Sequence, residues 1–232
     1  MSQIQLSKTP SATVPVAPPK AVLFDWDNTL IDSWVIIHDA MNTTLTHFNM
    51  ECWTLDETRT RVKQSMRDRF PVLFGDAWSE AAGVFYARYR EIHMSQLVPL
   101  PGSEEMLQTL HEQRVFLAVV SNKTGEYLRL EAEHLGWDRF FTNLVGSKDA
   151  PRDKPAADPV HMALSGSGFE PGNDIWFVGD ADIDLECAIN TGCLPILVRK
   201  TPPAPKEFDE HPPERYLEDC WALKEFTDLC FE

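Results

Sequence analysis

"AVLFDWDNTLIDS", residues 21–33, decides the fold. Four apolar residues run into Asp25, Asp27 follows one residue later, and the turn-forming Asn28 and Thr29 come directly behind. A short unbroken apolar run fits a strand buried on both faces, as in a parallel sheet. Such a strand seldom ends in two unpaired carboxylates, because buried like charges repel each other and lose their hydration. Along a strand, residues i and i+2 point the same way, so Asp25 and Asp27 can face one pocket. The pair therefore asks for a partner cation.

Further along, the apolar runs "VFLAVVS" (115–121), "FTNLVGS" (141–147), "DIWFVGD" (174–180) and "LPILV" (194–198) recur between helical segments of ten to twenty residues. Leu128, Ala132 and Leu135 mark the apolar face of one helix, and Gly136 is placed to end it. Asp158-Pro159 reads as the N-cap and first residue of another. A short strand and a last helix around 220–229 close the chain, after the loop 201–214. Strands alternating with helices predict an α/β fold, a Rossmann-like parallel sheet with helices on both faces.

Residues 34–98 differ in character. Thr54-Leu-Asp-Glu57 has the form of a capping box. Phe85, Tyr89 and Ile92 recur at i, i+4 and i+7, a single apolar helix face. The block is expected to be an all-helical cap domain inserted behind the first strand. The catalytic core is then 20–33 with 99–232, and residues 1–19, interrupted by four prolines, form a disordered N-terminal tail.

The chain has 232 residues and a formal net charge of −15. That balance argues against nucleic acid as a partner, since phosphate backbones call for basic surfaces. No apolar run approaches the ~18–20 residues that span a bilayer, and no membrane partner or secretory signal is expected. The five cysteines form no CxxC pair and read as reduced thiols of a cytoplasmic protein, Cys187 and Cys193 as core residues.

Four polar clusters fall where strands give way to loops: Asp25-Trp-Asp27-Asn-Thr29, Ser121-Asn122-Lys123, Lys154-Pro155, and Gly179-Asp180-Ala-Asp182-Ile-Asp184. Each alone has a bland explanation as a helix cap or a solvated charge. Together, in this order, they resemble the haloacid dehalogenase superfamily of phosphotransferases. Stretches such as "DKPAADPVHMAL" and "IWFVGDADIDLECAINTG" look closest to its phosphoglycolate-phosphatase-like branch, which carries a helical cap in the position of residues 34–98.

The resemblance implies a Mg²⁺-dependent phosphatase acting on a small phosphorylated metabolite. Asp25 and Asp180 supply carboxylates to the metal, Asp27 its backbone carbonyl, and Asp184 a more distant or water-mediated contact. Asp25 is then the nucleophile and Asp27 the acid and base. Ser121 and the Asn122 amide hold phosphate oxygens, Lys154 offsets charge on the nucleophile, and Thr29 orients the loop or the phosphate. Lys63, Arg67 and Arg69 are candidates for an anionic substrate group, and Trp26 for a wall between cap and core. Asn28 stands where glycine is commoner, and Asn best tolerates a left-handed turn among other residues. The segment "KQSMRDRFPVLFG" (63–75) departs from the glycine-containing cap loop common in the family. A phosphosugar mutase uses the same clusters, and a binding module that lost turnover retains them; a dehalogenase needs no metal and typically lacks the acid at Asp27.

Overall fold

Ala21–Phe24 forms β1, and all four residues are fully buried. The computed structural model describes residues 17–62 and 66–232, and of 66–68 the backbone alone. The expected tail therefore lies outside the described residues except for 17–19, and so does Lys63. β1 pairs in parallel with β2 (Phe116–Thr124) on one side and β4 (Ile175–Gly179) on the other. With β3 (Asn143–Ser147), β5 (Leu194–Val198) and β6 (Arg215–Leu217) the sheet has six strands in the order β3-β2-β1-β4-β5-β6, every pair parallel. The chain leaves β1 in one direction through β2 and β3 and returns to its other side at β4. That reversal opens a crevice at the carboxyl ends of β1 and β4, where ligands bind in open parallel sheets.

Alternation along β1 sorts the two cores. Val22 and Phe24 join a cluster with Met106, Leu107, Leu128 and Leu223, from α5 (Ser103–Glu112), α6 (Gly125–His134) and α9 (Cys220–Phe231). Ala21 and Leu23 face the opposite cluster with Val160, Ala163, Cys187 and Ala188, from α7 (Asp158–Ala163) and α8 (Asp182–Thr191). The expected sheet with helices on both faces is what the sequence builds. Cys187 and Cys193 are buried core thiols. No helix among the described residues is long and apolar enough to cross a membrane.

Residues after β1 form the helical insertion: α1 (Trp34–His47), α2 (Leu55–Arg61), α3 (Met66–Phe74), a 3-10 turn at Gly75–Ala77, and α4 (Trp78–Ile92). The Thr54 and Glu57 capping box starts α2 as read. Phe85, Tyr89 and Ile92 line the buried face of α4, packed against Ile36, Met41 and Leu45 of α1 and Phe70 of α3. Tyr127 of α6 enters this cluster, so the insertion's core continues onto the sheet domain. The chain re-enters the sheet domain beside its point of departure, where Ile31 bridges Pro99.

Three local expectations shift. β2 runs on to Thr124, which puts Ser121–Lys123 in the strand's irregular end rather than in a loop. Ala157, not Asp158, holds the cap position of α7; Asp158 is its first residue and pairs with Arg152 at 2.6 Å. α7 is also only six residues long, shorter than the expected helices. Gly136 ends α6 in the left-handed region, φ +66°, as its placement predicts.

Candidate active site

Asp25 follows β1 directly, and its backbone N–H still bonds the carbonyl of Val178 in β4 at 2.8 Å. Its carboxylate Oδ1 accepts from Lys154 Nζ at 2.8 Å. The same ammonium donates to Asp184 Oδ1 at 2.6 Å. Lys154 comes from the loop behind β3 and is 2% exposed, so a charge that could read as solvated is sealed inside the domain. Asn122 holds that loop in place: its Oδ1 accepts from the Lys154 N–H at 3.0 Å and its Nδ2 donates to the Lys154 carbonyl at 3.3 Å. The Asn122 side chain is thus a clamp on Lys154.

Asp180 follows β4, and Asp184 sits in the first turn of α8, where its Oδ2 accepts from the Ala181 N–H at 3.1 Å. Gly179 explains how they come so close: a methyl group there would overlap Asp184's Cβ and carboxyl carbon. One carboxylate oxygen from each of Asp25, Asp180 and Asp184 lies within 4.8 Å of the others. The ammonium pairs with two of these three acids, which leaves an excess of negative charge in a buried setting. Hard oxygen donors with uncompensated charge suit a divalent cation.

The shifts in proton affinity carry the same imbalance. Burial, then Asp184 and Asp27, outweigh the pull of Lys154 and raise Asp25 from 3.8 to about 6. Burial and the two neighbouring aspartates push Asp180 well above its ordinary value. Burial alone would lower Lys154, but Asp184 and Asp25 more than reverse that and keep it charged. A pH dependence follows. The folded, cation-free protein holds the Asp25 proton more tightly than the unfolded chain does, so this site's contribution to stability is full below about pH 4 and is lost as pH rises through about 6. The urea midpoint of cation-free protein is expected to fall across that window, and an added divalent cation to raise it more at pH 7 than at pH 5. A cation effect equal at both pH values contradicts the assignment.

Asp27 goes elsewhere. Its Oδ1 accepts from Lys123 Nζ at 2.5 Å and from the Ser33 hydroxyl. The sequence places both aspartates on one strand face, but the strand ends at Phe24, and Asn28 turns left-handed at φ +64° to close the loop. Each aspartate meets its own lysine, and the Asp27 carboxylate stands apart from the three-acid cluster. Asn28 fills the glycine-like position as expected.

Ser121 is buried, and its Oγ accepts from the Lys123 N–H at 3.3 Å. Thr29 is buried, and its hydroxyl has no hydrogen-bond partner among the described residues. Trp26 is no wall between insertion and sheet. It is fully buried in the core, edge-on to Trp137 and Phe141, because one step along the chain from Asp25 turns a side chain to the opposite side. Arg67 is described only as backbone of α3. Arg69 lies in the same helix, which packs on α4, and its Nε has no partner among the described residues. No hydrogen bond or ion pair among the described residues joins Arg69 to the strand-end cluster.

Two residues have no role assigned from the sequence: Lys123, named there only as a member of its cluster, and Glu131. Lys123 stands on the same strand face as Ser121, two residues on, and is buried between Asp27 and Glu131. Glu131 is fully buried on α6. Its signal was an acid three residues after Leu128 and next to Ala132, on the helix's apolar stripe. Burial alone would raise its affinity for a proton, but Lys123, His93 and Trp26 overcome that and bring it down to about 2.

A family model described as haloacid dehalogenase-like hydrolase matches residues 22–198. A phosphoglycolate phosphatase of Xanthomonas campestris pv. campestris is 31% identical over 75% of this chain and 80% of its own. A pyrophosphatase, PpaX, of Halalkalibacterium halodurans is 30% identical over 74% of this chain and 79% of its own. The crystal structure of a HAD-superfamily hydrolase from Ehrlichia chaffeensis superposes with a TM-score of 0.65 at 28% identity, covering 93% of this chain and 99% of that one.

Proposed function

The chain belongs to the haloacid dehalogenase-like hydrolase family, and from that premise we propose a Mg²⁺-dependent phosphatase that hydrolyses a small phosphorylated metabolite through an aspartyl-phosphate on Asp25. The observation that carries the proposal is the buried Lys154 ammonium, 2.8 Å from Asp25 and 2.6 Å from Asp184, with Asp180 in the same carboxylate cluster. An arrangement that served only folding would balance its charges. This one leaves two carboxylates in excess, at the strand ends where ligands of parallel sheets bind.

Asp25, Asp180 and the backbone carbonyl of Asp27 would hold a Mg²⁺ ion, with Asp184 in a more distant or water-mediated contact, and the bound cation would supply the positive charge that a phosphate dianion needs among these carboxylates. The Asp25 carboxylate attacks phosphorus in line with the leaving oxygen, forming the acyl phosphate as the ester bond breaks. Lys154 keeps that carboxylate oriented and neutralises charge gathering on the phosphoryl oxygens. Asp27 donates a proton to the departing alcohol. It then takes one from the water that attacks the acyl phosphate, which restores Asp25 and releases inorganic phosphate. Ser121 Oγ and the Asn122 N–H hold phosphoryl oxygens, and the unpartnered Thr29 hydroxyl is a further donor of the same kind.

Residues 34–98 act as the cap over this site, with Arg67 and Arg69 as candidates for an anionic group remote from phosphorus. The two relatives are nearly equal in identity, yet one is named for phosphoglycolate and the other for pyrophosphate. What those names share is a small phosphorylated substrate, and that class is what we assign. Purified protein is expected to release phosphate from an aryl phosphate with Mg²⁺ present, and turnover to drop by ~10³-fold or more with excess EDTA and return on adding Mg²⁺. Undiminished hydrolysis in EDTA sinks the metal-dependent mechanism.

A further inference from the structure

Glu131 is the most heavily bonded buried side chain of the chain's described part, yet none of the roles above uses it. Its Oε2 accepts from Trp26 Nε1 at 2.8 Å and from Lys123 Nζ at 2.9 Å. Its Oε1 accepts from the Tyr89 hydroxyl at 2.9 Å and lies 2.8 Å from His93 Nδ1. Both oxygens therefore carry two partners, nearly the full capacity of a carboxylate. Those partners come from three places: the loop after β1, the end of β2, and the end of α4 with His93 just beyond it.

Lys123 passes the arrangement on to Asp27. Its ammonium is 2.5 Å from Asp27 Oδ1, which also accepts from Ser33, the residue capping α1. Both of these bonds end on Oδ1, and Asp27 Oδ2 has no partner among the described residues. The carboxylate is thus held by one oxygen with the other left over for proton transfer. Lys123 has three donors and a flexible stem, so alone it would not fix a direction. It is fixed because Glu131 holds it from behind, while the Tyr89 ring lies 5.3 Å from its ammonium.

We propose that Glu131 is a positioning residue for proton transfer: it anchors Lys123, which aims the Asp27 carboxylate, and its bonds to Tyr89 and His93 tie that aim to the seating of the helical insertion on the sheet domain. The proposal rests on the phosphatase reading above and adds a residue to it. A buried ion pair could instead be scaffold alone. The two differ in which substrates suffer when Glu131 is changed.

A nitrophenyl phosphate loses its leaving group without a proton, whereas a primary alkyl phosphate must have one delivered. The ratio kcat/KM reports only the steps through acyl-phosphate formation, so the later water attack, common to both esters, drops out. Glu131→Gln keeps the shape and removes the charge that anchors Lys123. It is expected to lower kcat/KM for the alkyl ester by ~10²-fold, the scale of general-acid catalysis, and for the nitrophenyl ester by less than ~3-fold. Tyr89→Phe removes one bond from Glu131 and leaves its charge; a smaller loss with the same split is expected. Should Glu131→Gln not fold, by circular dichroism, Tyr89→Phe and His93→Gln decide the matter on the same two esters. Equal losses on both esters, or none on either, overturn the role of Glu131 and leave the phosphatase standing. Wild-type protein that hydrolyses neither ester overturns the phosphatase reading itself, and this proposal with it.

Discussion

Asp25→Asn is expected to lower kcat on every phosphomonoester by ~10⁴–10⁶-fold, the range seen when a nucleophile is removed from an otherwise intact site. The amide has nearly the shape of the carboxylate and can still accept from Lys154, now 2.8 Å from Oδ1. What it lacks is the charge and the nucleophilic lone pair. Stability is expected to move the other way. Burial, Asp184 and Asp27 already lift the Asp25 carboxyl to about 6, so its ionised form is under strain in the cation-free fold. A neutral amide relieves that, and the variant's urea midpoint without cation is expected to match or exceed that of the wild type at pH 7. Loss of function with undiminished stability is the mark of a site whose charges are arranged for chemistry rather than folding. Turnover within tenfold of wild type means that Asp25 is not the nucleophile. Trapping the phosphorylated protein in acid provides a second check: label is expected on wild type and absent from the variant.

The parts of this architecture that were legible in the sequence are those written in local periodicity. An all-apolar β1, the GD pair ending β4 and the capping box of α2 each depend on neighbours within a few residues, and each stands where expected. The site was legible to the degree that it sits at strand ends. Asp25, Lys154, Asp180 and Asp184, far apart in the chain, meet because parallel strands bring their carboxyl ends to one edge.

The rest depended on contacts between elements. Trp26 lies between two site aspartates and yet is core, since its nearest large partners, Trp137 and Phe141, are more than a hundred residues away. The pairing of Asp27 with Lys123 needed the strand to stop at Phe24 and the turn at Asn28 to rotate the carboxylate. Glu131 is buried by contacts from outside its own helix, with Tyr89 of α4 and His93 just beyond it closing over the carboxylate. In both misses the sequence did carry a mark: a charged residue in phase with buried neighbours. Such a residue asks for its counter-ion elsewhere in the chain, and reading the apolar residues alone passes over that request.

Lys154→Met tests the charge balance of the site from the opposite side to Asp25→Asn. The ammonium is the buried cation that pairs directly with Asp25 and Asp184, beside Asp180, and it is 2% exposed. Methionine keeps most of the stem's volume and removes the charge, which leaves buried carboxylates facing one another. The cation-free variant is expected to lose about 3–5 kcal/mol at pH 7.5, the usual consequence of breaking a buried pair by removing one partner. The loss has a sign in pH. Without Lys154, the leading influence holding Asp25 down, the carboxyls of the cluster take up protons at higher pH than in the wild type, and protonation removes the repulsion. Destabilisation is therefore expected to shrink as pH falls from 7.5 toward 5. On the proposed mechanism Mg²⁺ takes the same carboxylates, and adding it is expected to recover part of the stability at pH 7.5. Turnover is not expected to recover with it: kcat stays down by ~10²–10³-fold, the scale of one lost electrostatic donor, because the metal replaces the charge but not the group that orients the nucleophile. Urea titrations at the two pH values, each with and without Mg²⁺, separate these effects. A midpoint at pH 7.5 equal to that of the wild type shows that Lys154 is not the counter-ion of the cluster. Full activity at restored stability shows that its part is structural, and that the phosphoryl charge is met elsewhere in the site.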